Sequence, residues 1–200
     1  MRLAAIVLAA GRSSRMGANK LLLKVGDRRV IEHILFSLKP FETIVVLGHR
    51  PDDVKGFVEA FGAKTVYNPD YDEGMTTSFR AGLRALDPDV EAVFMVLSDT
   101  FGFSHRLLEE MKGVLMNDPE ALIVSPVHEG RRGHPVLFRK SLFDEFLGLG
   151  EGETMRDVVN RHETEHRYVE GDVWTVTDLD TPEDYERVKM LWGRPGASLV

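Results

Sequence analysis

The chain has 200 residues and contains no cysteine, few aromatic residues and no surplus of positive charge. The lack of cysteine excludes disulfide bonds, thiolate metal sites, iron–sulfur clusters and a cysteine nucleophile. Its 25 lysines and arginines are outnumbered by 32 aspartates and glutamates, which gives a net charge of −7. A general DNA- or RNA-binding protein needs a basic surface that neutralises many phosphates, so we expect no nucleic-acid partner.

Long hydrophobic runs are also missing. The first apolar stretch covers only residues 3–10, whereas a membrane span needs about 20 residues. Only Arg2 precedes this stretch, and a basic loop rather than a cleavage site follows it, so it does not resemble a signal peptide. We therefore expect no membrane partner and a cytoplasmic location.

The first half of the chain alternates between two hydrophobic patterns. Continuous apolar runs predict strands at residues 3–10, 43–47, 64–67 and 92–97. Helical spacing of apolar residues predicts helices at residues 30–38, 51–61, 76–86 and 104–116. This alternation predicts an α/β fold with a mostly parallel sheet and helices on both faces.

The second half is less regular. We predict strands at residues 121–126, 135–138, 167–169 and 174–177, and helices at residues 140–147 and 155–161. Thr181, Pro182 and Glu183 supply a cap, a first-turn proline and an acid, which predicts a last helix. With no repeat or linker in view, we interpret residues 1–200 as one domain with an irregular insertion around residues 126–170.

The strongest functional signal follows the first predicted strand. It reads Gly11-Arg12-Ser13-Ser14-Arg15-Met16-Gly17-Ala18-Asn19-Lys20. Open α/β sheets bind ligands at strand ends, and a glycine loop can turn backbone N–H groups towards anionic oxygens. The spacing fits neither the Walker loop nor the dinucleotide fingerprint. The residues alone indicate a phosphate site, or else a glycine turn with two solvated basic side chains.

Together with Leu8, Ala9 and Ala10, this loop resembles the signature of the molybdenum-cofactor nucleotidyltransferases, within the larger group of nucleotide-sugar-type pyrophosphorylases. The Ala-Ala-Gly form resembles the cytidylyltransferase branch, whereas guanylyltransferases typically have Ala-Gly-Gly. Further segments resemble the family in order along the chain: residues 68–70, 73–75 with Ser78, 133–135 and 178–184. The resemblance implies a three-layer, Rossmann-like nucleotidyltransferase fold with a mixed, mostly parallel sheet.

The resemblance also implies an activity. The family is Mg²⁺-dependent, and this branch moves CMP from CTP to molybdopterin, a pterin phosphate, and releases pyrophosphate. A molybdoenzyme or its chaperone is then a further expected partner. Catalysis is assigned to Lys20, Arg15 and Asp99, of which the two basic residues hold phosphates. The expected nucleotide-binding residues are Leu8, Ala9, Ala10, Gly11, Arg12, Ser13, Gly17, Asn68, Gly74, Met75 and Ser78.

Three aspartates are the expected metal ligands, because Mg²⁺ takes oxygen donors. Asp99 directly follows the predicted strand at residues 92–97, although an Asx turn would also explain it. Asp178 and Asp180 are one residue apart, so in an extended segment both point the same way. The family usually has Asp-x-Pro at the first position, and this chain has Asp99-Thr100-Phe101.

His134 and Arg132 are expected on the acceptor side of the site. His134 belongs to the Gly-His-Pro segment, where it either contacts the acceptor or positions the loop. Arg132 either meets an anionic acceptor or lies at a solvated hairpin tip. We do not expect His134 to be a general base, because an acceptor phosphate is already an anionic nucleophile.

Three other functions stay open. The enzyme could use GTP or another phosphorylated acceptor, and the chain could instead be a non-catalytic nucleotide-binding protein that serves molybdoenzyme maturation. Residues 162–166 read His-Glu-Thr-Glu-His, the zinc-protease signature. That chemistry needs a continuous helix with an apolar face, whereas this segment is polar throughout and leads towards a predicted strand.

Overall fold

The structure is a computed structural model that describes residues 1–193. Its strands are β1 (Leu3–Ala9), β2 (Lys24–Val25), β3 (Arg28–Arg29), β4 (Glu42–Leu47), β5 (Lys64–Tyr67), β6 (Ala92–Leu97), β7 (Ile123–His128), β8 (Arg131–Arg132), β9 (Val136–Arg139) and β10 (His166–Glu170). Its α-helices are α1 (Val30–Leu38), α2 (Asp52–Ala60), α3 (Met75–Arg84), α4 (His105–Asn117), α5 (Phe143–Gly148), α6 (Met155–Arg161) and α7 (Pro182–Trp192).

A mixed sheet forms the centre, with the strand order β10-β7-β9-β6-β1-β4-β5, and β8 pairs with β7. Strands β6, β1, β4 and β5 are parallel, with Ile6 of β1 opposite Ile44 and Met95 of its two neighbours. Strand β9 runs antiparallel to both β6 and β7, and β10 is parallel to β7. The sheet is therefore mostly parallel around β1 and mixed towards β10.

Helices cover both faces of the sheet, and every residue of β1 is buried as a result. One apolar cluster joins the sheet to α1, α2, α4 and α7, and a second joins it to α3, α5 and α6. A strand buried on both faces needs a continuous apolar sequence, which is what residues 3–9 provide. The predicted three-layer α/β fold with a mixed sheet is confirmed.

Most predicted elements are present, but the strand predicted at residues 174–177 is wrong. Val173–Val176 forms a 3₁₀ helix instead. The Asp172 carboxylate accepts a hydrogen bond from the Trp174 backbone N–H (3.0 Å) and so starts a turn rather than a strand. The small hairpin of β2 and β3 was not predicted, because two-residue strands leave no periodic pattern.

The topology brings particular loops together. The carboxyl ends of the parallel strands β1, β4, β5 and β6 lie at one edge of the sheet, and the antiparallel β9 begins at that same edge. Ligands in open α/β sheets bind at such an edge. Within residues 1–193, no helix has both the length and the apolar character needed to cross a bilayer.

Candidate active site

The loop after β1 is held in a fixed shape by its own residues. Ser13 has a left-handed backbone (φ 51°), which is uncommon outside glycine, and its carbonyl accepts from the Met16 N–H (3.0 Å). Met16 is buried in the core and anchors the loop. The Asn19 side chain then caps a 3₁₀ turn at Lys20–Leu22 by accepting from the Leu21 N–H. Lys20 therefore projects from a rigid turn.

Lys20 connects two carboxylates that are far apart in sequence. Its Nζ lies 3.3 Å from Asp99 Oδ2 and 2.9 Å from Asp180 Oδ1. Arg15 reaches the other oxygen of Asp180, at 3.0 Å. The Lys20 side chain is only 12% exposed, so solvent screens these ion pairs less than surface ones. The glycine loop and the two predicted acidic segments thus share one cleft.

Backbone and capping bonds fix the two acidic segments relative to each other. The Leu179 N–H donates to the Asp99 carbonyl (3.0 Å), and Leu179 is fully buried. Thr181 and Asp184 form a capping box at the start of α7. The Asp184 carboxylate also accepts from the Asp180 N–H (3.0 Å). Asp180 is therefore positioned by the first turn of α7, the helix whose start was predicted at Thr181-Pro182-Glu183.

An aromatic cluster packs behind the acidic segments. Phe101, at the position where the family usually has proline, is 1% exposed. Its ring centroid lies 5.9 Å from that of Trp174 and 6.2 Å from that of Trp192. The Trp192 ring also makes an edge contact with His33, at 4.5 Å. The segment after Asp99 is thus held by apolar packing, in place of a proline turn.

The opposite wall of the cleft is the start of α3. The N-cap residue Gly74 has no side chain to cover the first-turn N–H groups, which lie next to the cleft. The buried Asn68 amide donates to Thr77 Oγ1 (2.9 Å) and Ser78 Oγ (3.0 Å). Asn68 thereby joins the end of β5 to α3. A helix N-terminus is a favourable place for anionic oxygens.

The cleft has a volume of about 320 Å³. The predicted residues that line it are Leu8, Ala10, Gly11, Arg12, Ser13, Arg15, Lys20, Gly74, Met75, Ser78, Asp99 and Asp180. Ala9 is buried in the core beneath the loop, and Asn68 is buried behind α3. Gly17 lines a smaller neighbouring pocket on the same loop.

Sequence reasoning missed Ser14, Tyr71, Leu97 and Ser98, which also line the cleft. Tyr71 lies between residues 68–70 and 73–75, two segments that resemble the family. That position could have indicated that Tyr71 belongs to the site. Its ring packs against Gly48, where a Cβ would lie 2.6 Å from Tyr71 Cβ. Arg12 lies over the same ring (5.8 Å) and forms a two-point salt bridge with Asp72. Tyr71 is thus wedged between two loops.

His134 lies near Asp99, at the start of β9. Its backbone N–H donates to the Thr175 carbonyl (2.8 Å), and its Nδ1 has no hydrogen-bond partner among the described residues. Burial lowers the pKa of His134, although the charge of Asp99 opposes the shift. The imidazole is therefore kept neutral, with a polar atom unsatisfied.

Arg132 and Asp178 have different surroundings. Both guanidinium Nη atoms of Arg132 contact the Glu163 carboxylate, and the guanidinium lies 5.1 Å from the centroid of Tyr168. Desolvation raises the pKa of Asp178, and the nearby charges of Asp99 and Asp180 raise it further. Asp178 thus lies within electrostatic range of the other two acids.

The zinc-protease interpretation is wrong, because the segment is not a continuous α-helix. Residues 163–165 form a 3₁₀ turn and His166 begins β10. His162 Nε2 pairs with the Glu145 carboxylate (2.7 Å), whereas His166 Nε2 pairs with Ser125 Oγ (2.9 Å). The two imidazoles have separate partners and do not share a helix face.

The residues around Lys20 suit a divalent cation in their chemistry. Asp99 and Asp180 already converge on one positive charge, and Asp178 adds a third carboxylate nearby. Carboxylate oxygens are the donors that Mg²⁺ prefers. Within residues 1–193, no group of three acidic or histidine side chains is arranged to hold a metal ion. The cation that lies between Asp99 and Asp180 in this structure is the Lys20 ammonium.

Two curated proteins are similar to this chain in sequence. The molybdenum cofactor cytidylyltransferase of Escherichia coli K12 is 27% identical over 188 residues, which is 92% of this chain and 94% of that protein. A probable molybdenum cofactor guanylyltransferase of Clostridium perfringens is 28% identical over 120 residues, 60% of this chain and 57% of that protein.

A solved structure has a similar fold. The crystal structure of the Mycobacterium sp. strain JC1 homologue of Mycobacterium tuberculosis Rv0371c superposes with a TM-score of 0.79 at 25% identity, covering 95% of this chain and 97% of that one. Residues 5–166 match the family described as the MobA-like NTP transferase domain. The chain belongs to this family and is a nucleotidyltransferase.

Proposed function

We propose that this enzyme transfers CMP from CTP to a phosphorylated acceptor of the molybdopterin type and releases pyrophosphate, with Mg²⁺ as its cofactor. The observation that carries the proposal is the position of Lys20 between Asp99 and Asp180, in a cleft lined by the glycine loop. The name of the Escherichia coli relative and the Ala-Ala-Gly form of the loop favour CTP.

The triphosphate lies along the glycine loop in this proposal. Lys20 and Arg15 bind its phosphates and stabilise the charge that develops on the leaving pyrophosphate, which is the main demand of phosphoryl-type transfer. The start of α3, with Gly74, Met75 and Ser78, faces the base and ribose. Asn68 supports that wall through its bonds to α3.

The carboxylates of Asp99, Asp178 and Asp180 would hold the metal ion. A bound Mg²⁺ supplies charge neutralisation and orientation to the phosphate oxygens. The residues of the chain fix those carboxylates in place: Leu179 bonds to the Asp99 backbone, and Asp184 bonds to the Asp180 backbone.

The acceptor phosphate attacks the α-phosphorus directly, so no general base is required. We propose that His134 and the arginines of β8 form the acceptor side. The neutral imidazole of His134, with its unsatisfied Nδ1, is suited to a hydrogen bond with the acceptor. A charged imidazole is not needed for that role.

The second candidate is the same transfer with GTP. It is favoured by the similarity to the Clostridium perfringens guanylyltransferase. The chemistry of the phosphates would be unchanged, because Lys20, Arg15 and the three acids do not contact the base in either case.

The test is to incubate the protein with each of the four nucleoside triphosphates, Mg²⁺ and molybdopterin, and to measure pyrophosphate. We expect release with CTP, a much lower rate with GTP, and loss of activity when the metal is chelated. A higher rate with GTP would replace the first proposal by the second. Absence of pyrophosphate with every triphosphate would refute molybdopterin as the acceptor.

A further inference from the structure

Lys20 and Asp180 form one ion pair but come from opposite ends of the chain. Lys20 Nζ lies 2.9 Å from Asp180 Oδ1, and 160 positions separate the two residues. Both side chains line the cleft. Because the energy of an ion pair depends on the distance between its charges, a tertiary contact must hold the two backbones at a fixed separation. Helix α7 and the β2–β3 hairpin provide such a contact.

The segment after Lys20 leads directly into β2 and is held by backbone bonds. The Leu23 N–H donates to the Lys20 carbonyl (3.2 Å), and the Leu23 carbonyl accepts from the Val30 N–H (3.0 Å). Lys24 then pairs with Arg29 in the two-stranded β2–β3 sheet. The backbone at Lys24 therefore keeps a fixed position relative to Lys20.

Tyr185 joins α7 to this segment. Its hydroxyl donates to the Lys24 carbonyl (2.6 Å), and its ring packs against the core. The bond uses the backbone of Lys24, so a substitution of the lysine side chain leaves it in place. Next to Tyr185, the Asp184 carboxylate accepts from the Asp180 N–H (3.0 Å). Tyr185 thus closes a ring of contacts that runs from Lys20 through β2 and α7 back to Asp180.

The other end of α7 lies on the same hairpin. A Cβ at Gly26, in the turn between β2 and β3, would lie 2.7 Å from Trp192 Nε1, so the indole is in contact with the turn. Gly26 has a left-handed backbone (φ 63°), which glycine adopts without strain. The Trp192 ring also packs near Phe101, in the segment that follows Asp99. Helix α7 is therefore attached to the hairpin at both of its ends.

Burial in the core contributes little to this attachment. Within Pro182–Trp192, Val188 is the only buried residue, and Tyr185 and Trp192 are partly buried. Elements with few buried apolar contacts open locally at a low cost in free energy. The position of α7, and of Asp180 before its first turn, therefore depends on specific contacts such as the hydroxyl bond to β2.

We propose that Tyr185 is a positioning residue for the transfer reaction: by tying α7 to β2, it sets the separation of Asp180 and Lys20 and so the place of the Lys20 ammonium in the cleft. The proposal rests on the proposed role of Lys20 at the phosphates. Among residues 1–193, Tyr185 is not one of those that line the cleft, so it acts through Lys20 and Asp180. A displacement of about 1 Å is enough to impair a catalytic group. The β2–β3 hairpin then serves as the platform on which α7 docks.

The first test needs no substrate. The Lys20 ammonium of the free protein is observed by ¹H–¹⁵N NMR of lysine side chains at low temperature, and Lys20→Arg assigns its signal. Hydrogen exchange should be slow in the wild type, because the side chain is only 12% exposed and is paired with two carboxylates. Tyr185→Phe removes the hydroxyl alone. Exchange at Lys20 Nζ should then be about threefold to tenfold faster, the factor expected from the loss of one hydrogen bond.

Tyr168→Phe is the matched control. Tyr168 also donates its hydroxyl to another residue (3.1 Å to Glu163), but it lies on β10, which three strands separate from β1. The control should lower Tm to a similar extent and leave exchange at Lys20 unchanged. Equal exchange rates in the wild type and Tyr185→Phe, or the same acceleration in both variants, would overturn the proposal. So would the absence of a protected Lys20 signal from the wild type.

The second test asks whether Tyr185 acts through Lys20. With CTP, molybdopterin and Mg²⁺, Tyr185→Phe should lower kcat/KM for CTP about threefold to tenfold in the wild-type background. It should have no further effect in the Lys20→Ala background, because residues that act through one group are not additive. Losses that multiply in the double variant would make Tyr185 a purely structural residue and refute the proposal. If no triphosphate is turned over, the proposed function fails, whereas the NMR comparison still decides whether Tyr185 positions Lys20.

Discussion

The two sides of the cleft are built in different ways. The proposed nucleotide side (residues 8–20 and 68–78) consists of two continuous segments that each follow a parallel strand. The proposed acceptor side (residues 126–135 and 173–180), of which Asp180 lines the cleft, is assembled from a hairpin, the segment that leads into β9 and a 3₁₀ turn, which meet through backbone bonds such as His134 to Thr175. The first side is specified locally, and the second depends on tertiary packing.

Asp99 lies between the two sides, and its substitution is expected to have the largest effect. Asp99→Asn keeps the size of the side chain but removes the charge that faces Lys20. We expect metal-dependent transfer to fall by about 10³ or more, because charge stabilisation by a bound metal contributes several kcal/mol. Steady-state kinetics and Mn²⁺ binding by EPR measure it. The control is Asp27→Asn in the exposed β2–β3 turn. Retained activity and metal affinity would remove Asp99 from the metal site.

Substitution of Lys20 tests its proposed role in binding the triphosphate. Lys20→Ala removes the cation between Asp99 and Asp180, and we expect kcat/KM for CTP to fall by about 10² to 10³, the range seen when one stabilising donor is deleted. The KM for the acceptor should change little. Lys24→Ala, an exposed lysine on β2, is the matched control. Kinetics like those of Lys24→Ala would exclude Lys20 from phosphate binding.

Two glycines allow close backbone approach, one on each side of the cleft. A Cβ at Gly48 would lie 2.6 Å from Tyr71 Cβ and 2.8 Å from the Ala10 carbonyl, and one at Gly133 would meet the Thr175 backbone. We expect Gly48→Ala to raise the KM for CTP by about tenfold and Gly133→Ala to raise the KM for the acceptor, since displacement of about 1 Å misplaces the bound group.

The control for both is Gly56→Ala in α2, where the added Cβ meets no atom within 4 Å. An alanine in a helix interior should stabilise the protein by roughly 0.5–1 kcal/mol, which thermal unfolding would detect. If Gly48→Ala and Gly133→Ala raise the KM for the same substrate, the division of the cleft into two sides is wrong.

The nucleotide side could be predicted because its chemistry lies in adjacent residues. A buried strand, a glycine loop and Lys20 follow one another along the chain. A short stretch of sequence therefore contains both the structural pattern and the proposed binding residues. Tyr71 was missed even there, although it lies between the segments at residues 68–70 and 73–75. Its ring packs against Gly48 and lines the cleft.

The acceptor side could be predicted only in part. A strand was predicted at residues 174–177, but the capping bond of Asp172 starts a 3₁₀ helix there. The loss of the family's proline after Asp99 also had no evident compensation in the sequence. Phe101 provides it by packing against Trp174 and Trp192, which lie more than 70 positions away. Such contacts leave no local pattern.

The smallest expected effect concerns the response of strands β7 and β10 to acid. Burial lowers the pKa of His166 to about 4, with the charge of Arg132 as a further cause. In the unfolded chain the ordinary value is about 6.5, so the unfolded state binds a proton first as the pH falls. Stability should therefore decline between about pH 6.5 and pH 4, and level off below.

His166→Gln isolates this effect, because glutamine can still bond to Ser125 but does not titrate. Between pH 7.5 and pH 5, we expect the Tm of the wild type to fall further than the Tm of the variant. His33 and His134 are present in both proteins, so their protonation contributes equally to the two curves. Hydrogen exchange at pH 5 should show that β7 and β10 lose protection before β1 and β4. Parallel Tm curves, or equal loss of protection across the sheet, would mean that β7 and β10 are no more sensitive to acid than β1 and β4.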